Sequence, residues 1–251
     1  FIDHADSLGA SARYGDGDAQ WLTAGDGINH SEMFPLFSQN GNNELDFFQI
    51  WLNLPSYNKR VEPNFEMYWR DEIPKISSNL NGNKNVQIEI ITGDYLDFSS
   101  PLAPKNSWAN NKKNDVAVWI IRLDRNGKFT MPNTKSGANR NLYILKDSNM
   151  EIDGQSISGG SMVTLDSFKS TILKNLGNKT KILMLQGVPI DEPVVKYGPF
   201  VMNTRREIEQ AFYDYNKTEF GGWEWGKSDP VHGKEKEKFA KLIDGDIIKP
   251  L

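Results

Sequence analysis

The sequence predicts an all-β protein that turns helical only near its C-terminus. Three observations lead there. Short runs rich in valine, isoleucine, leucine and aromatic residues recur along the chain. Gly, Asn and Asp turn signals separate them, and no regular alternation of strand with helix marks a parallel sheet. Short strands at such spacing belong to a sandwich or barrel.

The expected strands are Phe47–Leu54, Val86–Thr92, Val116–Leu123, Asn141–Leu145, Met162–Asp166 and Lys181–Gln186. Asp124-Arg125-Asn126-Gly127 lies between two apolar runs and reads as a hairpin, because Asn-Gly tolerates the positive φ of tight hairpin turns. Asp153-Gly154 and Gly159-Gly160 punctuate the next region. Near the end, Thr204 with Glu207 three positions on forms a capping box. Ile208, Ala211, Phe212 and Tyr215 then recur at helical spacing, and Gly221-Gly222 is expected to end that helix. Lys234–Ile243 is a second helix candidate of mixed charge. Asn79–Asn85 and Pro101–Asp115 read as linkers, the latter a boundary between two β domains.

Composition narrows the chemistry. The 251 residues are enough for one or two domains with real cores. A net charge of −4 argues against direct nucleic-acid binding. With no cysteine, disulfides, thiolate metal sites and a thiol nucleophile are excluded. The longest apolar run, Val116–Ile121, is strand-length, far short of the ~18 residues that mark a membrane span. Residues 1–32 carry six acidic side chains against one arginine. That segment reads either as a solvated surface or as a cation-attracting mouth.

Several patterns fail on inspection. Gly15-Asp16-Gly17 lacks the rest of a dinucleotide fingerprint, and Asp16-Gly17-Asp18 leads into Gln20 and Trp21 where a calcium loop needs an oxygen ligand and a glycine. The three histidines, His4, His30 and His232, stand in no nucleophile context. His30-Ser31-Glu32 is more informative. If Ile28–Phe34 is a strand, His30 and Glu32 share a face, because side chains alternate with period two. An imidazole and a carboxylate converging inside a barrel are two ligands of a non-haem iron site.

Three blocks carry a family resemblance. The first runs from His4-Ala5-Asp6-Ser7-Leu8-Gly9 through Gln20-Trp21-Leu22-Thr23-Ala24-Gly25 to His30-Ser31-Glu32-Met33. The second joins Leu52-Asn53-Leu54, Val61-Glu62-Pro63 and Glu72-Ile73-Pro74-Lys75. The third is Gly187-Val188-Pro189-Ile190-Asp191-Glu192-Pro193 with Val194 to Thr204. Together they resemble the pirin family of the cupin superfamily. The resemblance implies a bicupin, two antiparallel β-barrels packed together, with iron in the N-terminal one. It implies residues 1–100 as that barrel, 101–114 as linker, 115–202 as a C-terminal barrel without a metal site, and 203–251 as a helical segment.

By the same resemblance, His30 and Glu32 are metal ligands, and Glu32 is also the candidate catalytic base. The family's other ligand pair, His-x-His, is expected upstream of Phe1. The N-terminal barrel is then incomplete, its opening strands missing, and iron (Fe2+/Fe3+) is weakly held or absent in this chain. His4 corresponds to a family histidine that is not a ligand. Asp26 departs from the family, which usually carries a basic residue there. The implied functions are a quercetin (flavonol) dioxygenase or a nuclear transcriptional co-regulator with redox-active iron. The implied partners are a flavonol-like small molecule or a transcription factor, with no membrane contact. A monomer in the cytoplasm or nucleus is expected.

Overall fold

A computed structural model describes residues 1–77, 85–146 and 148–251. Among the described residues the chain is all-β apart from one α-helix and short 3-10 turns. It forms two compact units, one of residues 1–72, 104–107 and 190–251, the other of 73–103 and 108–189.

The first unit is built around five strands: β1 (Ile2–Asp6), β2 (Ser11–Tyr14), β3 (Ala19–Thr23), β4 (His30–Met33) and β5 (Asn64–Tyr68). β1 lies between β2 and β4, both antiparallel to it, and β4 is the edge of that sheet among the described residues. On the far side, Phe239–Lys241 pairs with β2 and Ile247–Ile248 pairs with Phe239–Lys241. β3 and β5 form a separate antiparallel ribbon. Ile2, Ala12, Tyr14, Phe65, Met67, Trp69 and Ala240 make the core of this unit.

The second unit is a sandwich. Six strands run in the order Met162–Leu165, Asn139–Ile144, Lys179–Gly187, Ala117–Asp124, Val86–Thr92, Lys75–Ser77. Four more run in the order Lys128–Met131, Thr171–Asn175, Asn149–Ile152, Gln155–Ser158. One cluster containing Ile88, Ile121, Leu142 and Met184 from the first sheet and Phe129, Met150 and Leu173 from the second fills the space between them. Val86–Thr92 buries every second side chain, as a half-buried strand should.

Several sequence expectations are corrected. The Asp124–Gly127 turn is present, with Asn126 at φ 60° and Gly127 N–H donating to Asp124 O at 2.8 Å. It does not close a hairpin. Ala117–Asp124 is already paired on both edges, so Lys128–Met131 pairs with Thr171–Asn175 in the other sheet. Asp153-Gly154 does close a hairpin, with both residues at positive φ. Phe47–Leu54 forms no strand, and Phe47, Ile50 and Trp51 are exposed: apolar composition makes a strand only where the backbone finds a partner. Lys234–Ile243 is not a helix. Its Lys-Glu alternation offers no apolar stripe, whereas Ala240, fully buried, extends the sheet beside Ala12.

The boundaries expected at 101–114 and 203 also move. Val86–Thr92 pairs with Ala117–Asp124, which draws 73–103 into the second unit. The C-terminal segment joins the first unit through Phe239–Lys241. Residues 79–84 of the first expected linker lie outside the described residues.

The α-helix among the described residues is α1 (Arg205–Thr218), with Ile208 and Ala211 buried. It ends before Gly221, capped by Glu219 in the left-handed conformation. Its capping box is formed: Thr204 Oγ1 accepts from Glu207 N–H at 3.2 Å, and Glu207 Oε2 accepts from Thr204 N–H at 2.7 Å. Hydrogen bonds from the Thr204 hydroxyl and backbone hold the Glu207 carboxyl below the usual carboxylate range. Thr204→Ala is expected to lower stability by about 1 kcal/mol in urea denaturation. An unchanged midpoint would show that tertiary packing alone holds the helix. Among the described residues, no helix is long and apolar enough to cross a membrane.

Candidate metal centre

Antiparallel pairing of β1 with β4 sets the site. The register places His4 opposite Glu32 and Asp6 opposite His30. Directly opposed residues project from the same side of a sheet, and positions two apart share that side. All four side chains therefore stand on one face. His4, His30 and Glu32 bring donor atoms within 4.8 Å of one another, and they are the one such group of three or more among the described residues.

His4 is fully buried and held from several directions. Its Nε2 lies 3.2 Å from Asp6 Oδ2. Phe65 stacks on the ring with centroids 5.2 Å apart. The His4 carbonyl contacts His232 Nε2 at 2.7 Å. Its Nδ1 has no protein partner. Asp6 is fixed in turn, because Oδ1 accepts the backbone N–H groups of Leu8 at 2.9 Å and Ala10 at 3.0 Å. That is an Asx-type turn, and it explains why Asp6 closes β1.

The other two donors are more accessible. Glu32 is half-buried, and His30 reaches the surface with its ring centroid 5.6 Å from that of His4. Desolvation of the His30 ring, followed by the neighbouring His4, lowers its pKa despite the opposing charges of Glu32 and Asp6. The neutral imidazole is thereby favoured, and that is the form that binds a metal. Burial, then the Glu32 charge, pushes the Tyr14 hydroxyl pKa well up, and Tyr14 donates to Gln20 Oε1 at 2.6 Å. Two histidines, one of them with an orphaned buried ring nitrogen, and a carboxylate fit a divalent transition metal.

The structure thus unites His30 and Glu32, as their spacing predicts. It also brings His4, which the family resemblance places outside the ligand set, and Asp6 to the same face, from another strand. The acidic character of residues 1–32 is largely compensated. Asp3 pairs with Arg13 at 2.6 Å, Asp18 with Lys238 at 2.9 Å, Asp16 with Arg70 at 2.5 Å and Asp26 with Arg60 at 2.9 Å. Asp26 is consumed in a surface pair and takes no part in the donor cluster. Trp225 Nε1 donates to Asp6 O at 2.7 Å within its own unit.

Comparison with known proteins agrees with this architecture. Residues 1–52 match the family model for pirin, and residues 118–221 match that for the pirin C-terminal cupin domain. Pirin-1 of Arabidopsis thaliana is 31% identical over 225 residues, covering 88% of this chain and 71% of that protein. This chain belongs to the pirin family. Human pirin is 30% identical over 221 residues, covering 87% of this chain and 70% of its own length. Among solved structures, a quercetin 2,3-dioxygenase from Acinetobacter baumannii superposes with a TM-score of 0.71 at 27% identity, covering 88% of this chain and 73% of that one. The pirin and cupin assignments account for the all-β architecture of both units.

Proposed function

We propose that this pirin is a metal-dependent dioxygenase of flavonols such as quercetin, with non-haem iron held by His30 and Glu32. The observation that carries the reading is the convergence of His30, Glu32 and His4 on one sheet face in a chain that superposes on a quercetin 2,3-dioxygenase. Nitrogen and carboxylate donors with open positions suit iron in oxygenases. Bound iron would supply Lewis acidity and a site for oxygen chemistry.

The protein's own groups have distinct tasks. His30, with its neutral form favoured, offers a nitrogen donor. Glu32 offsets positive charge at the centre and accepts the proton of the flavonol hydroxyl, a role that requires hydrogen-bond reach to that proton. Tyr14, protonated and bonded to Gln20, does not compete for it.

The test is aerobic turnover of quercetin by the Fe(II)-loaded chain, followed by loss of its visible absorbance. Glu32→Gln is expected to lower turnover at least about 100-fold, the lower part of the range for general base catalysis. Full activity in that variant would remove the carboxylate from the mechanism. Absence of turnover by the Fe(II)-loaded wild-type chain would overturn the substrate assignment.

A further inference from the structure

We propose that the open side of the second unit, at Met162–Leu165, takes an extended basic peptide segment of a partner protein as an added strand, with one apolar side chain of the peptide seated in the cavity beside that edge. This surface is independent of the metal centre, since all of its residues lie in the second unit.

Met162–Leu165 is the outer strand of the six-stranded sheet and pairs on one side only, with Asn139–Ile144. In an antiparallel pair alternate residues turn their backbone N–H and C=O groups away from the neighbour, so the free side offers a row of unused donors and acceptors. Exposed edges are ordinarily guarded by a lysine, a proline or a bulge. Lys75–Ser77, at the opposite end of the sheet, and Lys128–Met131, at one edge of the facing sheet, each start with an exposed lysine. Met162–Leu165 has no charge and no proline, and neither has Gln155–Ser158, the other edge of the facing sheet. Met162 is 59% exposed.

The core is uncovered at the same place. Val163, Leu165 and Ile157 are only partly buried where they pack against it. A cavity of about 240 Å³ opens there, with Ile152, Val163 and Leu165 among its walls. Val163 and Leu165 belong to the edge strand itself, so a strand laid along that edge would hold alternate side chains towards the opening. Peptide binding by strand addition has this form: main-chain hydrogen bonds supply affinity, and a pocket for a side chain supplies selectivity.

The rim sets the sign of the partner. Asp153, Asp166 and Lys169 line it. Lys169 is committed to Asp166 at 3.1 Å. Asp153 accepts Ile172 N–H at 2.7 Å through Oδ1 and pairs with no cation among the described residues. One carboxylate is left uncompensated, so a lysine or arginine next to the apolar anchor complements the rim and an acidic residue opposes it.

The probe is a short fluorescein-labelled peptide of alternating valine and threonine, with a central leucine followed by a lysine. Fluorescence anisotropy should show saturable binding to the full chain, and hydrogen exchange should slow at Met162–Leu165 on saturation. Glutamate in place of the peptide's lysine, or Asp153→Asn in the protein, should weaken binding about two- to fivefold, the scale of a partly exposed charge pair. Asparagine tolerates the left-handed backbone of that turn, so the Asp153 variant keeps its fold. Val163→Phe, which fills the cavity, should abolish binding. The exchange pattern of the wild-type chain decides the matter if that variant fails to fold. Absence of binding, or binding without protection of Met162–Leu165, would overturn the proposal. Protection that grows with protein concentration in the absence of peptide would give the edge to a second copy of this chain and overturn it as well.

Discussion

His30→Ala is expected to abolish specific iron retention. Anaerobic loading with Fe(II) and desalting should leave up to one iron per wild-type chain and essentially none in the variant. His30 is the more accessible of the two imidazoles at the centre, and desolvation favours its metal-binding neutral form. Removing it takes away one of the two donors that the proposed function assigns to this chain, with water in place of the lost nitrogen. Deletion of a ligand should cost more than the 10- to 100-fold loss in affinity that is roughly typical when only an outer-sphere partner is removed. Iron measured by inductively coupled plasma spectrometry gives the answer. Equal iron in both proteins would mean that the metal binds elsewhere, and the cluster on β1 and β4 would lose its role.

Arg13→Ala is expected to destabilise the first unit by about 3–5 kcal/mol, the range for breaking a buried ion pair from one side. Arg13 and Asp3 face each other across β1 and β2, with their side chains almost completely removed from solvent. The contact is bidentate: Nε donates to Oδ1 at 2.7 Å and Nη2 to Oδ2 at 2.6 Å. Nη2 also donates to Gly233 O at 3.1 Å, and Nη1 to Glu235 O. The variant strands the Asp3 carboxylate with the His232 backbone N–H, at 2.9 Å, as its remaining hydrogen-bond donor. It also releases the segment around Gly233 from β2.

Because the desolvation of both charges opposes their attraction, the double variant Asp3→Leu/Arg13→Met should recover much of the loss. Urea denaturation of the two single variants and the double closes the cycle. A loss below about 1 kcal/mol for Arg13→Ala, the scale of an exposed pair, would show that water reaches the pair.

Much of this could be read locally. Period-two alternation puts His30 and Glu32 on one face whatever strand lies beside them, and β4 does so. Thr204 and Glu207 specify the start of α1 through hydrogen bonds confined to one turn. The turn at Asp153-Gly154 follows from the φ preferences of its own residues. In each case the deciding interaction spans a few residues, so the chain's local chemistry is sufficient.

Pairing between distant segments decided the rest. Asn126 adopts the expected turn conformation, yet the strand after it crosses to another sheet because both edges of Ala117–Asp124 are taken. Phe239–Lys241 becomes a strand because β2 presents an edge, against the helical reading of its flanks. His4 and Asp6 reach the face that carries Glu32 and His30 only through a register that sets them opposite those residues. A one-residue slip of β4 would turn His30 and Glu32 to the other face. The residues alone therefore specified the all-β class, one helix and the shared face of His30 and Glu32. The full donor cluster and the division into units depended on which backbone edges met, because a strand's hydrogen bonds, unlike a helix's, are made to partners that its own sequence does not name.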